Sequence, residues 1–140
     1  MKLEEFCSRF RLFLEKNPQT SELLEEGQGL MGELVADSRW FGGLWGKWAS
    51  DPSFWEMQRP SIFPNEMTLH RSPDRAFSVL AYLWEPGTKT PVHDHGAWGI
   101  IGCLFDRVRE IKFRRLDEGG KEGFAELEEA SSRVIERRNC

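Results

Sequence analysis

Hydrophobic periodicity changes partway along the chain, and that change does most to limit what it can fold into. Near the start, Leu3, Phe6, Phe10, Leu12, Phe13 and Leu14 recur at near-helical spacing. Asn17-Pro18 interrupts the pattern, and a second helical stretch follows with Leu23, Leu24, Leu30, Met31 and Leu34 on its apolar side. Thr20 or Ser21 can cap it, and Glu22, Glu25 and Glu26 sit near its positive end. Gly27 and Gly29 weaken its middle. From residue 65 the grammar is that of strands. Met67 and Leu69, then Phe77, Val79, Ala81 and Leu83, alternate with other residues.

Turn chemistry separates the strand-like pieces. Ser72-Pro73-Asp74-Arg75 and Trp84-Glu85-Pro86-Gly87 read as turns, and Asp117-Glu118-Gly119-Gly120 as a hairpin turn. Trp98 to Phe105 is an apolar run suited to a strand covered on both faces, and Val108 to Leu116 reads as another strand. Phe124 to Leu127 would return from the last turn. Short strands with regular turns point to an antiparallel sandwich or barrel. Between the helical and strand-like parts, residues 39–64 are rich in Trp and broken by Gly and Pro, which predicts short helical turns and loops. The aromatic cluster Trp40, Phe41, Trp45, Trp48, Phe54 and Trp55 reads as core packing, with a ligand platform as the alternative. The expected organisation is one domain: a helical segment over 1–64 packed on a β core over 65–140.

At 140 residues, with 39% hydrophobic residues, such a chain can bury one core. The net charge of −4 argues against a nucleic-acid partner, which would call for a basic face. Three cysteines, Cys7, Cys103 and Cys140, form no disulfide framework. The first residues lack the uninterrupted apolar core of a signal peptide, and no run reaches membrane-spanning length. No membrane partner and a cytoplasmic location are the default expectations.

The chemistry concentrates in Pro91-Val92-His93-Asp94-His95-Gly96, which holds two of the three histidines. On an extended strand, residues two apart face the same side, so both imidazoles could reach one metal ion. Neutral imidazole suits Fe, Zn, Cu and Ni. A polar turn with two solvated histidines is the alternative. Asp94, on the opposite strand face, reads as structural, Cys103 as a buried inert thiol, and His70 as a surface or turn residue rather than a third ligand.

Gly87, His93 and His95 match the first half of the cupin signature. The string TPVHDHGAWGIIGCL, with Phe77-Ser78-Val79 and Trp84-x-Pro-Gly upstream, resembles the bacterial cysteine dioxygenase-like family over roughly residues 35 to 130. The resemblance implies a mainly β fold, a cupin-like (jelly-roll) barrel with a helical N-terminal third. It also implies Fe(II) as cofactor, a small thiol such as cysteine or 3-mercaptopropionate and O2 as substrates, and a sulfinate as product. By matching position His93 and His95 would be the first two of three histidine ligands. The sequence departs from the family pattern in several places. No histidine follows His95, so the third ligand is missing and the barrel is expected to be incomplete. Met67 stands where the family has its carboxylate-binding Arg, with Arg71 and Arg75 as displaced candidates. Asp106 replaces a Gly after the central strand, and Ile100 stands where some members have a crosslinking Cys. No substrate-binding or catalytic residue beyond the ligands is assigned. Two further readings stand beside the dioxygenase: a truncated or inactive cupin that binds metal weakly or serves as a binding module, and a different metal cupin. An unfinished sheet edge would invite self-association.

Overall fold

A computed structural model describes residues 1–58 and 65–140, with the backbone alone at 45 and 47–49. Four helices precede four strands: α1 (Leu3–Leu14), α2 (Thr20–Ala36), α3 (Arg39–Ser50), α4 (Pro52–Gln58), β1 (Glu66–Arg71), β2 (Ser78–Tyr82), β3 (Arg107–Arg115) and β4 (Leu127–Glu136). They cluster into two compact units, residues 1–38 with 92–140, and residues 39–91.

The first unit begins with a helical hairpin. Phe6 and Phe10, four residues apart, stack at 5.8 Å, as helix geometry requires of neighbours on one face. Asn17 ends the first helix in a left-handed conformation (φ 52°), which Asn tolerates better than most residues. The second helix starts one residue earlier than its hydroxyl residues suggest. The Gln19 N–H donates to Glu22 Oε2 at 2.9 Å, the glutamate half of a capping box. Arg9 and Glu33 tie the two helices together through a two-pronged ion pair at 2.7 and 3.1 Å. Leu30 and Leu34 are fully buried, each contributing about 1.5–3 kcal/mol.

The segment after residue 97 lies against this hairpin. The Trp98 ring meets Phe10 edge-on at 5.8 Å. A methyl placed on Gly27 would stand 2.2 Å from Ile100 Cδ1, so this glycine is the niche that receives Ile100. Gly102 likewise lies against Val35 and Met31, where an added Cβ would come within 2.8 and 2.9 Å. Cys103 then pairs with Asn139 in an isolated antiparallel bridge.

These contacts overturn the expected barrel. The described strands form two separate two-stranded antiparallel sheets, β1–β2 and β3–β4, in a mixed α and β fold with no barrel. Trp98–Phe105, expected to be the central strand covered on both faces, forms no strand; its only ladder contact is the bridge at Cys103. Gly102 brings the backbone close to α2, and Trp98 and Ile100 meet the helical hairpin instead of a second sheet layer.

In the second unit, α4 and the β1–β2 hairpin are joined by one side chain. Gln58 Nε2 donates to the carbonyls of Phe54 (3.1 Å) and Thr68 (2.9 Å), and Gln58 Oε1 accepts from the Thr68 N–H at 2.8 Å. The amide therefore pairs with Thr68 as a neighbouring strand would. A bulge between Thr68 and His70 places Thr68 and Leu69 in succession on the buried side. The loop Ser72–Phe77 is closed by the Ser72 N–H donating to the Phe77 carbonyl (3.0 Å) and the Phe77 N–H donating to Ser72 Oγ (3.1 Å). Of the expected aromatic cluster, Phe41 and Phe54 are buried and Trp55 is exposed. The side chains of Trp45 and Trp48 lie outside the described residues.

Candidate metal centre

His93 and His95 lie on irregular backbone rather than on a strand, and both side chains are exposed. What brings them together is a turn. The Asp94 carboxylate accepts the Gly96 N–H at 2.9 Å, an Asx turn, and Gly96 takes a left-handed conformation (φ 59°) that a residue without a Cβ adopts freely. The two imidazole rings stand 4.8 Å apart between centres, inclined at 65°. The two rings are therefore neighbours through a turn, not through the pleat of a strand, and both are exposed.

Imidazole nitrogens hold a first-row metal at about 2.0–2.1 Å, so rings this close can share one ion. The donor set stops there. Among the described residues no group of three His, Cys, Asp or Glu side chains is gathered to hold a metal. Asp94 is engaged in its turn. Asp106, which stands where the family has Gly, does adopt the left-handed backbone (φ 59°) that a Gly would take without strain. His70 is on β1 with its ring 5.2 Å from that of Phe77, and burial lowers its pKa. Arg71 and Arg75 lie at the β1–β2 turn, and Arg75 itself has φ 60°.

Cys7 and Cys103 are held as thiols. Burial, reinforced by the nearby Glu4 charge, pushes Cys7 up to about 12. Burial also raises Cys103, whose Sγ donates to the Phe105 carbonyl at 3.3 Å. Cys140 Sγ donates to the Gln28 carbonyl at 3.2 Å. Neither Cys7 nor Cys103 is poised as a nucleophile or metal ligand by its surroundings.

Two features of the unit that carries the histidines had no clear sequence signal. Gly27 reads as a weak point of a helix and Gly102 lies in a run that reads as a strand, yet both are close-approach points that anchor the segment following the histidines. Their position opposite an apolar run would have been the clue. Around the pair in sequence, Val92, Trp98, Ile101 and Phe105 remain substantially exposed. Among the described residues no helix is long and apolar enough to cross a membrane. No protein-family model matches the sequence.

Proposed function

We propose that His93 and His95 form a two-imidazole site for a divalent metal, and that the reaction belonging to it is iron-dependent oxidation of a small thiol by O2 to a sulfinate. The observation that carries the metal reading is the 4.8 Å separation of the two rings, held by the Asp94–Gly96 turn. The thiol and O2 come from the resemblance of the TPVHDHGAWGIIGCL string to cysteine dioxygenase-like proteins. Fe(II) held there would supply a redox centre that places thiolate sulfur and O2 side by side. The chain's own contribution is to orient the imidazoles: Asp94 fixes the turn, and Trp98 and Ile100 anchor the chain beyond it on the helical hairpin.

A second reading is favoured by the donor count: a weak metal-binding module without turnover. Two exposed histidines with no third partner gathered among the described residues retain a labile ion poorly. One experiment addresses both. The protein and its His93→Ala and His95→Ala variants are dialysed anaerobically against Fe(II), then assayed for bound iron and for oxygen uptake with cysteine and with 3-mercaptopropionate. Weak binding that falls about tenfold or more in either variant supports the site. Oxygen uptake above the protein-free rate, lost in the variants, supports the dioxygenase; binding without uptake supports the module. Equal iron retention by all three proteins refutes the metal reading.

A further inference from the structure

The β3–β4 ribbon is the strongest feature the metal site leaves unused. Its two strands carry opposite charge. The β3 strand holds Arg107, Arg109, Lys112, Arg114 and Arg115 against the single Glu110, while β4 holds Glu128, Glu129 and Glu136 against the single Arg133. Within the ribbon these meet in register. Arg114 pairs with Glu128, Arg133 with Glu110 (2.6 Å), and Arg107 stands opposite Glu136. The sheet has only these two strands, so among the described residues each presents one open edge. Nearly every side chain on it is exposed; Ile135 alone is fully buried. An isolated two-stranded ribbon is marginal in water, and open edges accept further strands.

We propose that a second copy of this chain adds its β4 edge, antiparallel, to the open β3 edge. The argument is charge complementarity. The strand that best fits the cationic β3 edge is anionic and antiparallel; β4 already meets that description on β3's other side. Pairing of two β3 edges, the main competitor for the cationic strand, is opposed by like charges. Antiparallel pairing of β3 with itself about Ile111 sets Arg107 against Arg115, which is unfavourable. The head-to-tail arrangement also aligns Ile111, Phe113, Leu127 and Val134, which share one face of the ribbon, with their counterparts in the next copy. Such an interface is heterologous: each copy added leaves one β3 edge and one β4 edge open, so growth continues beyond the dimer.

The test is sedimentation velocity over a wide concentration range at low salt. One variant, Arg109→Glu/Lys112→Glu, spoils the β3 edge; another, Glu129→Lys/Ser132→Lys, spoils the β4 edge. The parent should grow with concentration past the dimer, and each variant alone should associate about tenfold or more weakly. An equimolar mixture should form a dimer and stop there, because the intact β4 of one variant fits the intact β3 of the other and both remaining edges are spoiled. Where a charge reversal abolishes the native circular-dichroism signal, Arg109→Gln/Lys112→Gln replaces it with the same direction expected. A parent that stays monomeric, a variant that associates as the parent does, or a mixture that stays monomeric overturns the proposal.

Discussion

The two β-hairpins of this chain have the same topology and opposite circumstances. In β1–β2, Leu69, Val79 and Phe77 are buried and the Gln58 amide pairs with Thr68 beside the strand. In β3–β4, which is longer, the strands contribute a single fully buried side chain; the Glu110–Arg133 and Arg114–Glu128 pairs share one face, while Ile111, Phe113 and Val134 lie on the other, exposed. The first hairpin is held by what covers it, and the second by what its strands offer each other. Alternating sequence is therefore enough to form a ladder but does not decide whether the ladder has a core. The presence of a helix-borne partner decides that.

The difference is sharpest for a phenylalanine in each. Phe77→Ala removes a ring only 6% exposed and should cost about 3–5 kcal/mol, whereas Phe113→Ala, at 40% exposed, should stay within about 0.5 kcal/mol. Urea unfolding of the two variants measures this; equal losses would mean that the second hairpin is covered after all. Gln58→Ala comes next. It leaves the buried Thr68 N–H and carbonyl without their amide partner and should cost about 1–3 kcal/mol, read as faster hydrogen exchange at Thr68. Gln58→Glu should be no better, because a carboxylate cannot donate to the Phe54 and Thr68 carbonyls.

A pH effect separates the hairpins further. Burial lowers the His70 pKa below its usual 6.5, so the unfolded chain binds the proton more readily than the folded one. The contribution of neutral His70 to stability is then fully present above about 6.5 and is lost as pH falls through the interval below it. Thermal melts followed through β1–β2 should show this loss, and His70→Gln should flatten it. The smallest effect belongs to the exposed ribbon pairs. Arg114→Ala should cost about 0.2–1 kcal/mol and less as salt rises, because both partners are largely in water. A cost of several kcal/mol there would show that the ribbon depends on its charges far more than the first hairpin depends on Gln58.

Much of the local structure could be read from the residues. The helical repeat of Leu3, Phe6 and Phe10, the break at Asn17-Pro18 and the strands around Met67 and Val79 all follow from spacing. The Pro86-Gly87 turn does as well: the Thr88 N–H donates to the Glu85 carbonyl at 3.0 Å, and Gly87 takes φ 83°. Other features follow from contacts far apart in sequence. Arg39–Ser50 is a helix despite Gly42, Gly43 and Gly46, because propensity is a weak prior beside tertiary context. The return strand expected at Phe124–Leu127 runs over Leu127–Glu136 instead. The bulge between Lys112 and Phe113 shifts its phase, and Leu-Glu-Glu-Ala-Ser-Ser has no two-residue alternation to announce it. The barrel failed on Trp98–Phe105, because an apolar run reads the same whether it meets a sheet or packs on helices. For the metal centre, the residues were legible but not their support: Asp94 read as structural, yet nothing in a strand reading anticipated that its turn with Gly96 would bring the imidazoles together.

The discontinuity of the first unit has a consequence during synthesis. Residues 39–91 form a continuous unit and can fold as soon as they emerge, with Gln58 and Thr68 only ten positions apart. The helical hairpin emerges earlier still, but Ile100, the occupant of its Gly27 niche, and Cys140, the donor to its Gln28 carbonyl, are made after residues 39–91. At about 5–20 residues per second, translation of residues 39–100 takes several seconds. During that interval Gly27, Met31 and Val35 lack their eventual neighbours Ile100 and Gly102. The helical hairpin is thus made before residues 39–91 and completes its packing only when the segment beyond them has been made.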